Sequence, residues 1–306
     1  MSRPSTPFTP VEVAAIATII LVWGLNNAAA KVATTELPPL FVGGFRFLIS
    51  LAVLFPLLAR PPFPDPKKLG PIIVLSGPLH FGLVYIGFAM AEQLSPLVVA
   101  SQLWIPFTAL FAWRVLGERM TRAGVLGLAV AFVGVTWMTL DPHTAGDLWP
   151  IVLIVAAAAL WAFATILVRR LPGVRPLKMQ AFTSLIAAPV LLGSAVGFEP
   201  QLVEQVKSAS PFAWACVVFA GLASSIGASS LLFWLVQRRE PSRVTPFFLL
   251  TPLVSCAIGI LLMGDKVTVQ LIGGGAATLA GVAIVTFDER RRARLAALEA
   301  QAASQS

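Results

Sequence analysis

Apolar runs of about 20 residues, separated by short polar or charged turns, account for almost the whole 306-residue chain. A helix of that length spans the hydrocarbon core of a bilayer and satisfies its own backbone hydrogen bonds. The pattern predicts ten such helices, at roughly 11–32, 40–59, 69–91, 95–116, 122–140, 149–169, 177–197, 211–236, 243–263 and 268–287. Few residues remain outside them, so the expected architecture is an all-α integral membrane protein.

The pattern also repeats. Leu94–Thr121 reads as an apolar helix containing Pro106, then Leu116-Gly117-Glu118, then Thr121 opening a further apolar run. Thr245–Thr268 repeats that plan with Pro252, Met263-Gly264-Asp265 and Thr268. The prolines lie 146 residues apart and the glycines 147 apart, which marks a duplication of half the chain. Each copy holds five helices, an odd number, so the second must lie upside down relative to the first. The expected organisation is a segment 1–10, a first five-helix repeat 11–140, a linker 141–148, a second repeat 149–287 and a tail 288–306.

Composition agrees: 57% of residues are hydrophobic, only 12% are charged, and the mean hydropathy is +0.85. Charge sets an expected orientation. Eighteen of the 22 Lys and Arg, from Arg3 to Arg294, fall on the side that holds the N-terminus. This bias predicts cytoplasmic N- and C-termini in a plasma (inner) membrane. The net charge of +8 then reports topology and contact with anionic lipid rather than nucleic acid. In the tail, DERRRARLAALEA at 288–300 predicts a separate helix lying on the membrane surface. Met1–Ala30 also has the layout of a cleavable signal peptide, but Glu12 and the interruption Trp23–Asn27 favour a retained first helix. Cys216 and Cys256 lie in apolar runs and read as small buried thiols.

Candidate chemistry lies where polar residues interrupt apolar helices. In helix 1, Asn26 reads as cavity-lining, with Gly24 opening the wall, or as a bond between helices; Lys31 near its outer end is expected to reach the interface. Arg46 lies two turns into helix 2, where it either caps a neighbouring helix or contacts substrate. Helix 3 carries His80 and Tyr85; His80 is a proton carrier, a donor to substrate, or a neutral imidazole bonded to another helix. Helix 4 adds Gln102, Trp104 and Pro106, and a kink at Pro106 is expected to leave the Gln102 carbonyl accessible. Trp161 in helix 6 and the stripe Ser225 and Ser229 in helix 8 complete the set, with Pro106 and Pro252 as gating positions. Helix 5, with Gly124, Gly127 and Gly134, reads as a packing helix at the back. Asp141, His143 and Asp147 form no structural-zinc pattern and read as solvated loop residues. No cofactor is implied.

These residues carry a resemblance. Trp23-Gly24, Asn26, Lys31, Pro39 and Arg46, then Pro106 with Leu116-Gly117-Glu118-Arg119 and Thr121, are similar to the EamA-like family of the drug/metabolite transporter superfamily. Trp161, Pro252, Gly264 and Asp265 match in the same order; Asp265 and Met263 replace the family's usual Glu and Leu. The resemblance spans about residues 11–287. It implies a ten-helix inverted-repeat carrier, often exporting amino acids or related metabolites, with a cavity lined by helices 1, 3, 4, 6, 8 and 9.

The expected function is transport of a small polar metabolite, most plausibly an amino acid moved outward, held by neutral donors and ring faces at Asn26, Tyr85, Gln102, Trp104 and Trp161. The expected partners are a small-molecule substrate and the lipid bilayer, for a monomer or homodimer. The alternative is a carrier for bulky cationic drugs, although no carboxylate lies deep in a helix to balance one. A membrane enzyme is disfavoured, because no nucleophile, base pair or carboxylate pair stands at reacting spacing. Without a deep acid, the carrier is expected to be a facilitator or an exchanger, with His80 the only deep group titrating near neutral pH.

Overall fold

A computed structural model describes residues 8–61, 63–118, 120–141, 147–169, 171, 174–239 and 244–303. Arg3, Arg119, His143, Arg170 and Arg243 lie outside the described residues. Ten long helices follow one another: α1 Pro10–Glu36, α2 Pro39–Leu57, α3 Pro66–Met90, α4 Ser95–Leu116, α5 Arg122–Thr139, α6 Leu148–Val168, α7 Pro176–Phe198, α8 Pro211–Leu235, α9 Thr245–Leu262 and α10 Val269–Ala303. Among the described residues nine are long and apolar enough to cross a membrane, and α9 is shorter, with its apolar part at Phe247–Leu262. Yet α9 does traverse the bundle. Val244 at its start packs with Ile16 and Leu235, while Asp265 just beyond its end bonds the amides of Leu94 and Ser95 at the opposite face. Ten crossings put both termini on one face, called here the terminal face, opposite the far face.

Local chemistry sets the helix ends. Pro10 follows Thr9, whose hydroxyl accepts from the Glu12 amide while the Glu12 carboxylate accepts from the Thr9 amide. Glu199, beyond the end of α7, accepts from the amides of Leu40 and Phe41 and so caps α2. Burial pushes the Glu199 carboxyl above its usual range, and the two amides oppose the shift. Gly117 and Gly264 end α4 and α9 with φ of 71° and 78°, a conformation open to glycine at little cost.

The inversion is visible at the back of the bundle. The Thr121 hydroxyl donates to Asp288 at 2.7 Å, and the Thr268 hydroxyl donates to Asp141. Both residues of the second pair are the first pair's partners moved by 147 positions, so start and end exchange roles across a pseudo-twofold axis. The glycines repeat the swap. A Cβ on Gly127 would sit 2.8 Å from the Gly281 carbonyl oxygen, and one on Gly134 would sit 2.6 Å from that of Gly274. Helix α5 is therefore a close-packing helix, as its glycines predict, and its partner is α10. Helices α2 and α7 form the second such pair, with Gly44 against Leu192.

Irregular turns also come in matched pairs. α3 passes through a π-helical turn at Leu75–Leu79 around Pro78, and α8 through a longer one at Ala220–Ala228. α4 breaks at Gln102–Leu103, just before Pro106, while α9 begins as a 3-10 helix, Thr245–Leu250, and turns α-helical at Thr251-Pro252. The prolines therefore mark discontinuities in both copies, as expected.

Two expectations need correction here. The tail is helical, but α10 continues without a break through Ala303 instead of turning onto the surface as a separate helix. No helix-breaking residue separates Phe287 from the arginines, and Asp288 is held by Thr121 and by Arg292 at 3.2 Å. Asp141 and Asp147 are not solvated. They are buried, Asp141 by its bond to Thr268 and Asp147 as acceptor of the Glu92 and Gln93 amides.

Candidate substrate-binding centre

Arg46 organises the middle of the bundle. It lies in α2, is only 7% exposed, and enters from between α3 and α8. Its Nε donates to Ser225 Oγ at 2.9 Å and its Nη1 to Tyr85 Oη at 3.2 Å. The guanidinium lies 4.9 Å from the Phe81 ring centroid. The backbone prepares this seat: the Ser225 hydroxyl donates to the Ala220 carbonyl five residues back, inside the π turn of α8. Gly221 lets α2 approach, since a Cβ there would lie 2.9 Å from Ile49. Among the described residues Arg46 thus caps no carbonyl; it ties α2 to α3 and α8 through side chains.

Beside it stands an aromatic wall. His80 packs edge-on to Phe81 at 4.7 Å and lies 5.0 Å from Trp161, which itself meets Phe81 edge-on at 6.3 Å. His80 Nδ1 lies 2.8 Å from the Ala157 carbonyl of α6. A carbonyl only accepts, so Nδ1 carries a proton, and Nε2 has no protein partner among the described residues. The structure therefore brings together His80, Tyr85, Trp161 and Ser225 of the predicted set, and adds Arg46 and Phe81. Arg46 places a fixed charge beside these neutral groups, and its partners come from segments 39 and 179 residues away.

The remaining candidates lie elsewhere on the same bundle. Asn26 is half-buried, and its Oδ1 is buried with no hydrogen-bond partner among the described residues. Its neighbour Asn27 is the one that bonds another helix, donating to Ser255 of α9 at 3.0 Å. Gly24 does not open a wall: a Cβ there would fall 2.5 Å from Val254, so the glycine seats α9 against α1. Gln102, Trp104 and Ser229 make no side-chain hydrogen bond among the described residues; Trp104 packs on the main apolar core. The Gln102 carbonyl is not left accessible, because the Ile105 amide takes it at 3.1 Å, one residue short of proline's missing bond. Pro106 and Pro252 are both buried.

Lys31 departs furthest from its expected place. It does not reach the interface; it is 7% exposed, and its Nζ donates to the carbonyls of Phe88 and Ala91, closing the end of α3. Asp147, Asp265 and Glu92 are the carboxylates acting on it. Asp265 accepts from the Leu94 and Ser95 amides and the Ser95 hydroxyl, and so caps α4. Burial raises the Asp147 carboxyl above its usual range, against the pull of its two amide donors. Lys31, Asp147 and Asp265 are thus buried and hydrogen-bonded at the far face. No group of three or more metal-ligating side chains occurs among the described residues.

Inverted five-helix repeats with broken helices and polar groups facing one another at mid-depth are the plan of a membrane transporter. The chain belongs to the EamA-like transporter family, whose model matches residues 11–140 and again 148–287. It is accordingly a multi-pass membrane transporter and not an enzyme. It is 28% identical over 287 residues to a Salmonella typhimurium protein named "Probable amino-acid metabolite efflux pump", covering 90% of this chain and 94% of that one. It is 24% identical to an uncharacterised inner membrane transporter of Escherichia coli, covering 83% of each. A solved crystal structure matches with a TM-score of 0.59 at 20% identity, over 93% of this chain and 99% of the other, and so shares the fold.

Proposed function

We propose that the protein exports small polar metabolites, amino acids or related compounds, across the plasma (inner) membrane, with both termini cytoplasmic. The observation that carries the reading is the centre itself: His80, Tyr85, Trp161, Ser225 and Arg46 converge from α2, α3, α6 and α8. Donors and acceptors of both kinds there suit a zwitterion, and the name of the Salmonella relative points the same way. Asn26, Gln102, Trp104 and Ser229 complete the proposed binding set, and Pro106 and Pro252 are proposed as gating positions in the broken helices α4 and α9. Bulky-cation efflux is the weaker reading, because the buried carboxylates among the described residues, Glu12, Asp141, Asp147 and Asp265, all sit at helix ends, whereas the centre holds a guanidinium.

With no acid at the centre, transport is either facilitated diffusion or exchange. Counterflow in proteoliposomes tests the class: vesicles preloaded with unlabelled amino acids should take up the labelled compound, and labelled ethidium should not exchange. Exchange of ethidium without any amino acid would replace the metabolite reading by the drug reading.

A further inference from the structure

Among the described residues, Arg46 is a buried cation without a counterion. Among the described residues it forms no ion pair, and the groups that touch it are a hydroxyl, a phenol and a ring face. Arginine stays protonated at any accessible pH, so it cannot escape burial by losing its proton. A ring face and two neutral oxygens replace only part of its hydration. A buried charge in a membrane interior is held for a use, and its partner is the first thing to ask for.

The bonding pattern shows where such a partner fits. Ser225 takes Nε and Tyr85 takes Nη1, but Nη2 has no protein acceptor among the described residues. Ser225 is saturated in its donor role, since its own proton goes to the Ala220 carbonyl. Tyr85 differs. Its oxygen accepts from Arg46, and its phenolic proton has no acceptor among the described residues although the side chain is 1% exposed. Two donors therefore remain open side by side, the Nη2 protons and the Tyr85 proton, next to an uncompensated positive charge. A carboxylate has two oxygens at the spacing that two parallel donors satisfy, and its charge supplies what the site lacks.

We propose that Arg46 and Tyr85 form the carboxylate anchor of the transporter, so that the substrate class is organic acids, amino acids included, and not amines. The inference rests on the reading that this central cluster is where the solute binds. It departs from a purely neutral site and makes the acid group the obligatory part of the substrate. The aromatic wall of Phe81, His80 and Trp161 would then face the rest of the molecule.

Thermal unfolding of the purified protein at fixed ionic strength tests this with a panel of probe compounds. The probes are L-leucine, 4-methylpentanoate, 4-methylpentanamide and 3-methylbutylamine, with L-phenylalanine, 3-phenylpropanoate and phenethylamine as a second series. Ligand at ten times its dissociation constant should raise the midpoint by roughly 3–5 °C. The acids should do so and the amide and amines should not. Arg46→Gln should abolish the response; Arg46→Lys, which keeps the charge and guards against a merely misfolded variant, should keep a weakened one. Tyr85→Phe should weaken it about tenfold in apparent affinity. If no acid shifts the parent protein, or if amines shift it as well as acids do, the anchor is refuted and Arg46 is only a staple between helices. If deaminated acids stabilise while no amino acid stabilises or exchanges, the anchor stands and the amino-acid reading fails. If amino acids exchange but Arg46→Lys and Arg46→Gln both behave like the parent, the reading stands and the anchor fails.

Discussion

The two faces of the bundle are made of matching residues that are engaged differently. Lys31 lies in the last turns of α1 near the far face and Arg169 follows α6 on the terminal face, each eight residues past a tryptophan, Trp23 or Trp161. Lys31 is buried on the carbonyls of Phe88 and Ala91, whereas Arg169 is exposed and reaches Glu118 at 2.7 Å. The acidic turns differ in the same sense. Asp265 is buried against the start of α4, and its counterpart Glu118 is half-exposed. The clamps at the helix starts do not differ so much: Glu12 holds Arg239 at 2.7 Å on the terminal face, and Asp147 holds the Glu92 and Gln93 amides on the far face. On the far face the end of α1 and the start of α4 are thus held by buried bonds, while on the terminal face the end of α6 is held by an exposed ion pair. If the two copies exchange conformations, as inverted-repeat carriers do, buried bonds on the far face are what the state closed on that side would show.

Removing one cation from each face gives the largest expected effect. Lys31→Met strands the carbonyls of Phe88 and Ala91 and leaves Asp147 and Asp265 without their cation, which should cost roughly 3–5 kcal/mol of stability, as for a broken buried pair. Arg169→Met removes an ion pair whose side chains are 51% and 38% exposed, and should cost about 0–1 kcal/mol. Denaturant unfolding of both purified variants makes the comparison. Equal losses would mean that the faces are engaged alike and that no conformational state can be read from them.

The back of the bundle should behave in the opposite way, because there the two copies are packed equivalently. Gly134→Val and Gly281→Val each push a side chain into the partner backbone, Gly274 and Thr278 in one case and Gly127 and Ala131 in the other. Each should cost about 1–3 kcal/mol by overpacking, and the two costs should be alike. A large inequality, measured by the same unfolding assay, would show that the pseudo-twofold axis does not extend to the α5–α10 interface.

How much of this is legible in the sequence follows from the range of each interaction. Twenty-residue apolar runs, a proline without its N–H and a glycine before an acid are local signals, so the ten helices, the duplication and the breaks near Pro106 and Pro252 can be read directly. The pairing of Thr121 with Asp288, and of Arg46 with Ser225 and Tyr85, depends on contacts across 167, 179 and 39 residues, which no local pattern encodes. Lys31 defeats a local reading for that reason: five residues from its helix end it could reach water, and only the fold puts the end of α3 in its way. Gly24 carries two meanings in the sequence, an open wall or a close approach, and Val254 decides between them.

The smallest expected change in stability, and the most direct test of the exchange of states, comes from the two prolines. Each sits 11 or 12 residues before its Gly-acid turn, about 16–18 Å along a helix and so near the middle of a 30 Å core. The breaks beside them are already bridged by short-range bonds, such as the Ile105 amide on the Gln102 carbonyl. Pro106→Ala supplies an N–H that can compete for the same carbonyl and so straighten α4; Pro252→Ala offers α9 the same change. Neither should unfold the protein. Because the copies are inverted, straightening α4 and straightening α9 should bias the carrier in opposite directions, one towards the open terminal face and one towards the open far face. In a background lacking Cys216 and Cys256, single cysteines placed along α1 and α6 would report this through labelling by a membrane-impermeant thiol reagent from each side. The two variants should show opposite changes in labelling relative to the parent, with slowed transport in both. Labelling that changes in the same direction in both would break the symmetry argument, and parental labelling with parental transport would leave the prolines as packing residues only.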